Sequence, residues 1–575
     1  MLQTLTTPRG ETLSGTPWQV YPRPQMRRDS YINLNGEWDF AVSSGKPETF
    51  DMRITVPFCP ESRLSGIGRH FEEGAPLWYR RRFLLPEGFR RERVLLHIGA
   101  ADQIAEVFVN GQYLCRHEGG YASFCVDITE ALAEENELVI RCIDDLHDQA
   151  FPYGKQVMNR GGMWYTPVSG IWQTVWLESV PDIYIEKLNI ENHGASVTIS
   201  TVPPLEGTVS VEQLGQFPLE HGQVTIAPEN PHFWCPDDPY LYRFTVETAQ
   251  DKVESYFAIR SLEIKKVGGY PRLCLNGKPY FFHGLLDQGY WPEGLYTPPS
   301  DAAVERELSE VKALGYNLLR KHAKIEPQRW YYHCDRLGLV VWQDMVNGGS
   351  AYNLWFVTYL TNVLQPLLRC LPDAKPLWGL LSREKESSRE EYRRELEDTV
   401  QALRCHPCVG CWVPFNEGWG QYDAAGAVQT IRALDDTRLV DEASGWYDQG
   451  GGDVYSLHNY FYPLRVRPQT RTVALSEYGG IAWPMPGHEP PRKTYGYGTA
   501  KSREELTARY KKLQLGAVLP QLQKGLSALV YTQLTDVEDE VNGLFTYDRI
   551  AIKPDANAVR SVNAALAAEF ARVVK

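Results

Sequence analysis

Short runs in which apolar and polar residues alternate dominate the first third of the chain: YRRRFLLP (79–86), RVLLHIG (93–99), AEVFVNGQYL (105–114), FCVDIT (124–129) and NELVIRCI (136–143). A period of two marks half-buried strands. Asn110-Gly111 falls between VFV and QYL within the third of them, where a two-residue hairpin turn needs positive φ twice. The spacing predicts a sandwich of the jelly-roll kind, closed by GIWQTVWLESV (170–180). Five further runs between 183 and 248, from IYIEKLNI to LYRFTVET, predict a small immunoglobulin-like sandwich. The predicted boundaries are 1–180 and 181–265.

Near residue 266 the pattern changes. Continuous apolar runs now alternate with helical stretches, the signature of parallel strands buried on both faces. Eight runs qualify: 280–286, 316–321, 339–345, 409–415, 438–444, 454–458, 472–477 and 527–534. Helical periodicity is clearest over 301–315, 388–404 and 502–523, the first beginning with an Asp cap. Eight strand–helix units over 266–575 predict a (β/α)8 barrel, with residues 346–387 as an insertion after strand three. The class is therefore multidomain: jelly roll, immunoglobulin-like sandwich, barrel.

Working groups of such barrels gather at the carboxyl ends of the strands. Two carboxylates stand there: Glu417 in WVPFNEGWG after strand four, and Glu477 in VALSEYGG at strand seven. Strands four and seven lie on opposing arcs, so the two groups can face each other across the mouth. Two carboxylates about 5 Å apart are what a retaining glycosidase uses, one as acid/base and one as nucleophile. Singly, either could instead cap the following helix.

With LNGEWDF (34–40), VFVNGQYL, SGIWQTVWLE, FNEG and SEYGG in this order, the sequence resembles glycoside hydrolase family 2, the family of β-galactosidases, β-glucuronidases and β-mannosidases, over nearly its whole length. The resemblance implies that Glu417 is the acid/base and Glu477 the nucleophile. It further implies that Tyr460 reaches the nucleophile, that Arg320 lies beneath it, and that Asn416 holds the sugar 2-hydroxyl. His322 resembles the family histidine after strand two, one residue out of register, and either touches sugar or caps. Asp287, with His283-Gly284, resembles the first-strand loop. Asp344 ends strand three and binds a hydroxyl or caps. His458 ends strand six and is a ligand or a packed imidazole. Trp446 and Trp483 stack on a pyranose or pack loops. Trp412, Phe415 and Trp419 flank Glu417 as candidates for an apolar wall that raises its pKa.

Two departures bear on the sugar. Gly162 stands near the position where β-galactosidases carry an acidic jelly-roll residue. DEVNGLFTYDR (539–549) offers Glu540 and Asn542 where β-glucuronidases carry an Asn-x-Lys pair for the sugar carboxylate. An anion in a dehydrated site needs a compensating cation, so the expectation is a retaining exo-β-glycosidase acting on a neutral sugar, galactose first. A β-glucuronidase- or β-galacturonidase-type activity is the alternative, and a non-catalytic carbohydrate binder the rival class.

Composition narrows the rest. Lys plus Arg number 59 against 72 Asp plus Glu, a net charge of −13 that disfavours nucleic acid and anionic membranes. No apolar run is long enough to span a bilayer, and the amino terminus lacks a signal pattern. Eleven cysteines without an export signal predict free thiols and a cytoplasmic setting. Cys405, Cys408 and Cys411 have cluster-like spacing without a fourth ligand. The acidic run Asp536, Glu538, Asp539 and Glu540 fits no calcium loop and reads as a solvated loop. No metal and no cofactor are expected. The expected partner is a small carbohydrate or glycoside, and a homo-oligomer is possible.

Overall fold

The structure is a computed structural model that describes residues 5–146, 150–353, 355–361, 364, 368–488 and 493–575. Regular jelly-roll strands begin at Tyr31. A six-stranded antiparallel sheet runs in the order Met52–Val56, Gly36–Val42, Leu77–Phe83, Asn136–Ile143, Ile104–Val109, Gln112–Glu118. It faces a four-stranded sheet made of Tyr31–Asn33, Val175–Val180, Arg93–Ile98 and Phe124–Asp127. The alternation seen in the sequence is burial: in Ile104–Val109 every second residue points into a core shared with Trp38, Tyr79, Leu96 and Ile140. Asn110 and Gly111 both have positive φ, as the hairpin requires. Sheets of three and four strands between Lys187 and Phe257 form the second sandwich.

The barrel strands are β1 (Phe282–Asp287), β2 (Leu318–Lys321), β3 (Val340–Asp344), β4 (Val409–Val413), β5 (Leu439–Val440), β6 (Val454–Asn459), β7 (Thr472–Gly479) and β8 (Leu526–Thr532). All their pairings are parallel, in the order β5-β4-β3-β2-β1-β8-β7-β6. The eight predicted strands are all present, and the ring is nearly closed. Only β5 and β6 lack a ladder among the described residues. Beyond β4 and β5 the chain pairs again, Phe415–Asn416 beside Ala443–Ser444. The Ser444 hydroxyl, 3.2 Å from Ser456 and 3.0 Å from Ser476, ties the fifth strand to the sixth and seventh by side chains.

Helix α1 (Asp301–Ala313) is capped by Ser300, which accepts from Ala303 N, rather than by Asp301; Asp301 instead pairs with Arg329 and His333. The run 502–523 divides into α-helix over Arg503–Lys511, a π-helical stretch over Lys512–Val518, and a last turn, Leu519–Leu522. Residues 346–387, expected as an insertion after β3, lead from β3 into the helix Glu386–Leu403, and 354, 362–363 and 365–367 lie outside the described residues.

Residues 150–172 of the jelly roll reach across to the carboxyl end of the barrel. Asn347, just after β3, accepts from Tyr153 N and Gly154 N at 3.0 and 2.9 Å. On the other flank Arg160 pairs with Glu538 at 3.0 Å, and the Tyr165 hydroxyl donates to Glu540. The acidic run after β8 is thus a correction to its reading as a solvated loop. Asp536, Glu538, Asp539 and Glu540 are all buried, with Lys553 on Asp536 at 2.7 Å and Arg160 on Glu538. Both cations come from elsewhere in the chain, which is why the local pattern of charge suggested solvent.

Candidate active site

Glu417 sits just beyond β4 with φ of +52°, a left-handed conformation that is costly for a residue with a Cβ. Its amide donates to Ser444 O at 2.9 Å, and its carbonyl accepts from the Trp446 indole N–H at 3.0 Å. The extension of β5 therefore holds the strained residue from both sides. Gly418 continues the turn at φ +75°; a Cβ there would lie 2.4 Å from the Tyr447 ring. The Asn-Glu-Gly order is thus a backbone requirement as well as a chemical one.

Glu477 lies within β7, opposite. Glu417, His458 and Glu477 each bring one ligand-type atom within 4.8 Å of the others. That spacing of carboxylate oxygens suits direct attack by one carboxylate and leaves little room for the intervening water of an inverting site.

The environments of the two acids differ. Glu477 Oε1 accepts from Arg320 Nη1 at 3.2 Å and Oε2 from the Tyr460 hydroxyl at 2.6 Å. Burial pushes its carboxyl up, but His458, Arg320 and His322, together with the Tyr460 hydrogen bond, outweigh this and hold it down at about 2. Glu417 has one hydrogen bond, from His458 Nδ1 to Oε1 at 2.8 Å. Burial, with the nearby Glu477 charge adding to it, raises its pKa despite that bond. One group is poised ionised and the other protonated, as two carboxylates with separate tasks require.

His458 is the hinge of the arrangement. Its Nδ1 is 2.8 Å from Glu417 and 3.7 Å from Glu477. Arg320 Nη1, which can only donate, lies 3.4 Å from Nε2. The Ser444 hydroxyl is nearer to Nε2, at 3.0 Å, so both ring nitrogens are engaged. Arg320 also makes a two-pronged pair with Asp344 at 2.9 and 3.1 Å and donates to Asn416 Oδ1 at 2.8 Å. Asn416 Nδ2 is buried with no acceptor among the described residues, a donor awaiting a ligand hydroxyl. His322 Nδ1 is 2.5 Å from Asp344.

The structure thus brings Glu417, Glu477, Asn416, Arg320, Tyr460, His458, Asp344 and His322 into one network. Of the remaining candidates, the side chains of Asp287 and Trp483 lie apart from it, and Trp446 supports it from behind, its ring 5.5 Å from that of His458. Asp287 is held by Lys321 at 2.5 Å, which also binds Glu326 at 2.8 Å. Trp446 is fully buried and acts on the backbone of Glu417. Trp483 packs with Ile481, Ala500 and Leu506. Of the three rings expected to wall Glu417, only Trp419 is at the mouth, 6.0 Å from the His322 ring. Trp412 faces outward to Asp435, and Phe415 stacks on Tyr392. Successive strand residues point to opposite faces, so one sequence neighbourhood cannot all line one site. Cys408 and Cys411 are buried, and all eleven cysteines are free.

Sequence reasoning did not find Lys155. It enters from the jelly roll, buried, with its Nζ 5.5 Å from the ring centres of both Trp419 and Tyr165. A separate cleft of about 740 Å³, between the jelly roll and the barrel helices, contains none of these groups.

Comparison with known proteins follows the same division of the chain. Residues 69–160 match "Glycosyl hydrolase 2 galactose-binding domain-like", residues 182–260 "Glycosyl hydrolases family 2", and residues 268–519 "Glycosyl hydrolases family 2, TIM barrel domain". A β-galactosidase of Thermoanaerobacter pseudethanolicus is 23% identical over 72% of this chain; the chain spans 55% of that protein's length. A β-glucuronidase of Chlorocebus aethiops is 24% identical over 77% of this chain and 74% of its own. Among solved structures, a β-galacturonidase of Eisenbergiella tayi bound to galacturonate superposes with a TM-score of 0.68 at 16% identity, covering 95% of this chain and 98% of that one.

Proposed function

The chain belongs to glycoside hydrolase family 2, and from that premise we propose that it removes the terminal sugar of β-glycosides by double displacement with retention of configuration. The observation that carries the reading is the pair of unlike carboxyls, Glu417 raised and Glu477 lowered, with oxygens inside 4.8 Å. Glu477 attacks the anomeric carbon while Glu417 protonates the departing glycosidic oxygen. Oε2 of Glu417 has no hydrogen-bond partner among the described residues and is the oxygen free to carry that proton. The glycosyl–Glu477 ester is then hydrolysed by water that gives its proton to Glu417. When Glu477 loses its charge to the ester, Arg320 stays neutralised by Asp344. Asn416 Nδ2 supplies a hydrogen bond to the sugar that strengthens as the oxocarbenium ion develops.

For the sugar, the uronides are the better-supported class: two of the three similar proteins named above are a β-glucuronidase and a β-galacturonidase. The neutral galactoside expected from the missing Asn-x-Lys pair is the second reading, favoured by the β-galactosidase relative. A pure binder would gain nothing from two crowded carboxylates, which cost free energy to hold together. The free cysteines, several of them buried in the cores, support a reducing, cytoplasmic setting. A panel of 4-nitrophenyl β-glycosides, with the anomer of the first-formed product read by NMR, tests the proposal. Release of the β-anomer first is expected. Release of the α-anomer, or no turnover of any member, would refute it.

A further inference from the structure

Lys155 is 6% exposed, yet among the described residues no carboxylate, carbonyl or hydroxyl accepts from its Nζ. Its contacts are the faces of Tyr165 and Trp419, each centred 5.5 Å away. Cation–π contact returns only a fraction of what stripping water from an ammonium costs. The deficit points to a missing anion.

The lysine is also held in place. Lys155 O accepts from Tyr165 N, and the preceding Gly154 is anchored to Asn347 through its amide. Gly154 has φ +64°, and a Cβ there would lie 2.8 Å from Ala323 O, so the loop is pressed onto the segment after β2. Gln156 is fixed by Asp102 and Tyr121. The side chain lies beside the catalytic network, over the Trp419 ring, which is itself 6.0 Å from the ring of His322. It makes no ion pair with either carboxylate, whose partners are His458, Arg320 and Tyr460. Beside it, the Trp419 indole N–H is a second buried donor without an acceptor. Glu540, which the sequence offered as a repelling charge, has both oxygens engaged, by Tyr165 and by Asn542 Nδ2 at 2.9 Å.

We propose that Lys155 is the anion anchor of the active site, binding the carboxylate of a terminal uronic acid while Glu417 and Glu477 act on its anomeric carbon. The cation absent from the loop after β8 is supplied by the jelly roll instead. This rests on the glycosidase reading above and selects the uronide within it.

The test uses the full chain and its K155Q, K155M and K155R variants with 4-nitrophenyl β-D-glucuronide, β-D-galacturonide and β-D-galactoside. The wild type is expected to prefer a uronide. K155Q and K155M should lose about 10²-fold in kcat/KM on it, chiefly through KM, and change less than about threefold on the galactoside; K155R should recover part of the loss. Equal losses on acidic and neutral sugars would reduce Lys155 to a structural charge and overturn the proposal. So would a wild type that prefers the galactoside, though with E477Q inactive the glycosidase reading itself would stand. Calorimetry of glucuronic acid, galacturonic acid and galactose decides the matter independently of turnover. Binding of an acid that K155Q abolishes supports the anchor, and binding of neither acid overturns it.

Discussion

The indole N–H of Trp446 donates to the main-chain carbonyl of Glu417 at 3.0 Å. This bond runs from the second residue beyond the β5 extension to a backbone with φ of +52°, so it holds a strained conformation rather than a side chain. Trp446→Phe keeps the ring and removes the donor. The loss of one buried hydrogen bond costs about 1 kcal/mol. Glu417 is then freer to relax, and displacement of an acid by a fraction of an ångström lowers rate steeply. We expect kcat to fall about tenfold with KM little changed, measured on a glycoside with a poor leaving group. Unaltered kcat would show that Ser444 alone sets the turn.

The two carboxyls should part company when substituted. Glu477→Gln removes the nucleophile and should leave no turnover above background, with circular dichroism unchanged. Glu417→Ala removes protonation of the leaving group, worth about 10²–10⁴-fold. Alkyl glycosides should suffer the full loss, whereas 2,4-dinitrophenyl glycosides, whose leaving group departs without a proton, should keep near-normal rates of the first step and accumulate glycosyl-enzyme. A loss equal for both leaving groups would remove Glu417 from that role.

How much of this was legible in sequence follows from the range of the interactions. Runs such as VALSE and VVWQD announce parallel strands because burial on both faces makes them continuously apolar, and the polar residue that ends each run marks the mouth. Arg320, Asp344, Asn416, His458 and Glu477 all occupy such positions. Partnership was not legible. Nothing in SLHNYFYP indicates that one ring nitrogen of His458 approaches both catalytic candidates. Asp287 looks like a mouth residue until Lys321, which it shares with Glu326, is seen to engage it. Lys155 arrives from a domain more than 250 residues upstream of Glu417 on a loop with no periodicity, and only the fold brings it there. The buried charges after β8 fail for the same reason: Lys553 and Arg160 are remote in sequence.

Glu417 should also cost stability. Its folded pKa lies above the value of about 4.3 for an unfolded glutamate, so the folded chain binds more proton through that interval. Stability therefore falls as pH rises from the unfolded pKa through the folded one, and the penalty is complete above both. Glu417→Gln cannot ionise and escapes it. We expect this variant to melt above the wild type at pH 8, the gap closing toward pH 4. Glu477 has the opposite sign: its lowered pKa stabilises the fold above the unfolded value, and Glu477→Gln should lower the melting temperature at pH 7. A pH-independent difference in either variant would assign the effect to packing.

Arg160 of the jelly roll and Glu538 of the barrel form a buried pair at 3.0 Å, with side chains 6% and 4% exposed. Glu538 also accepts from the backbone amide of Thr166 at 3.1 Å, so this carboxylate pins the loop that carries Lys155 and Tyr165. Removing one member of a buried pair leaves the other charged and unpaired, at a cost of about 3–5 kcal/mol. Arg160→Met should therefore destabilise the chain markedly in thermal unfolding. The double variant Arg160→Met with Glu538→Gln should recover part of that loss, because Glu538 no longer carries a stranded charge, whereas Asp539, 3.7 Å from Arg160, still does. Coupling of this kind in a double-mutant cycle assigns the energy to the pair. Simple additivity would mean that the two side chains act separately and that the jelly-roll loop is held at the mouth by its backbone bonds to Asn347 instead.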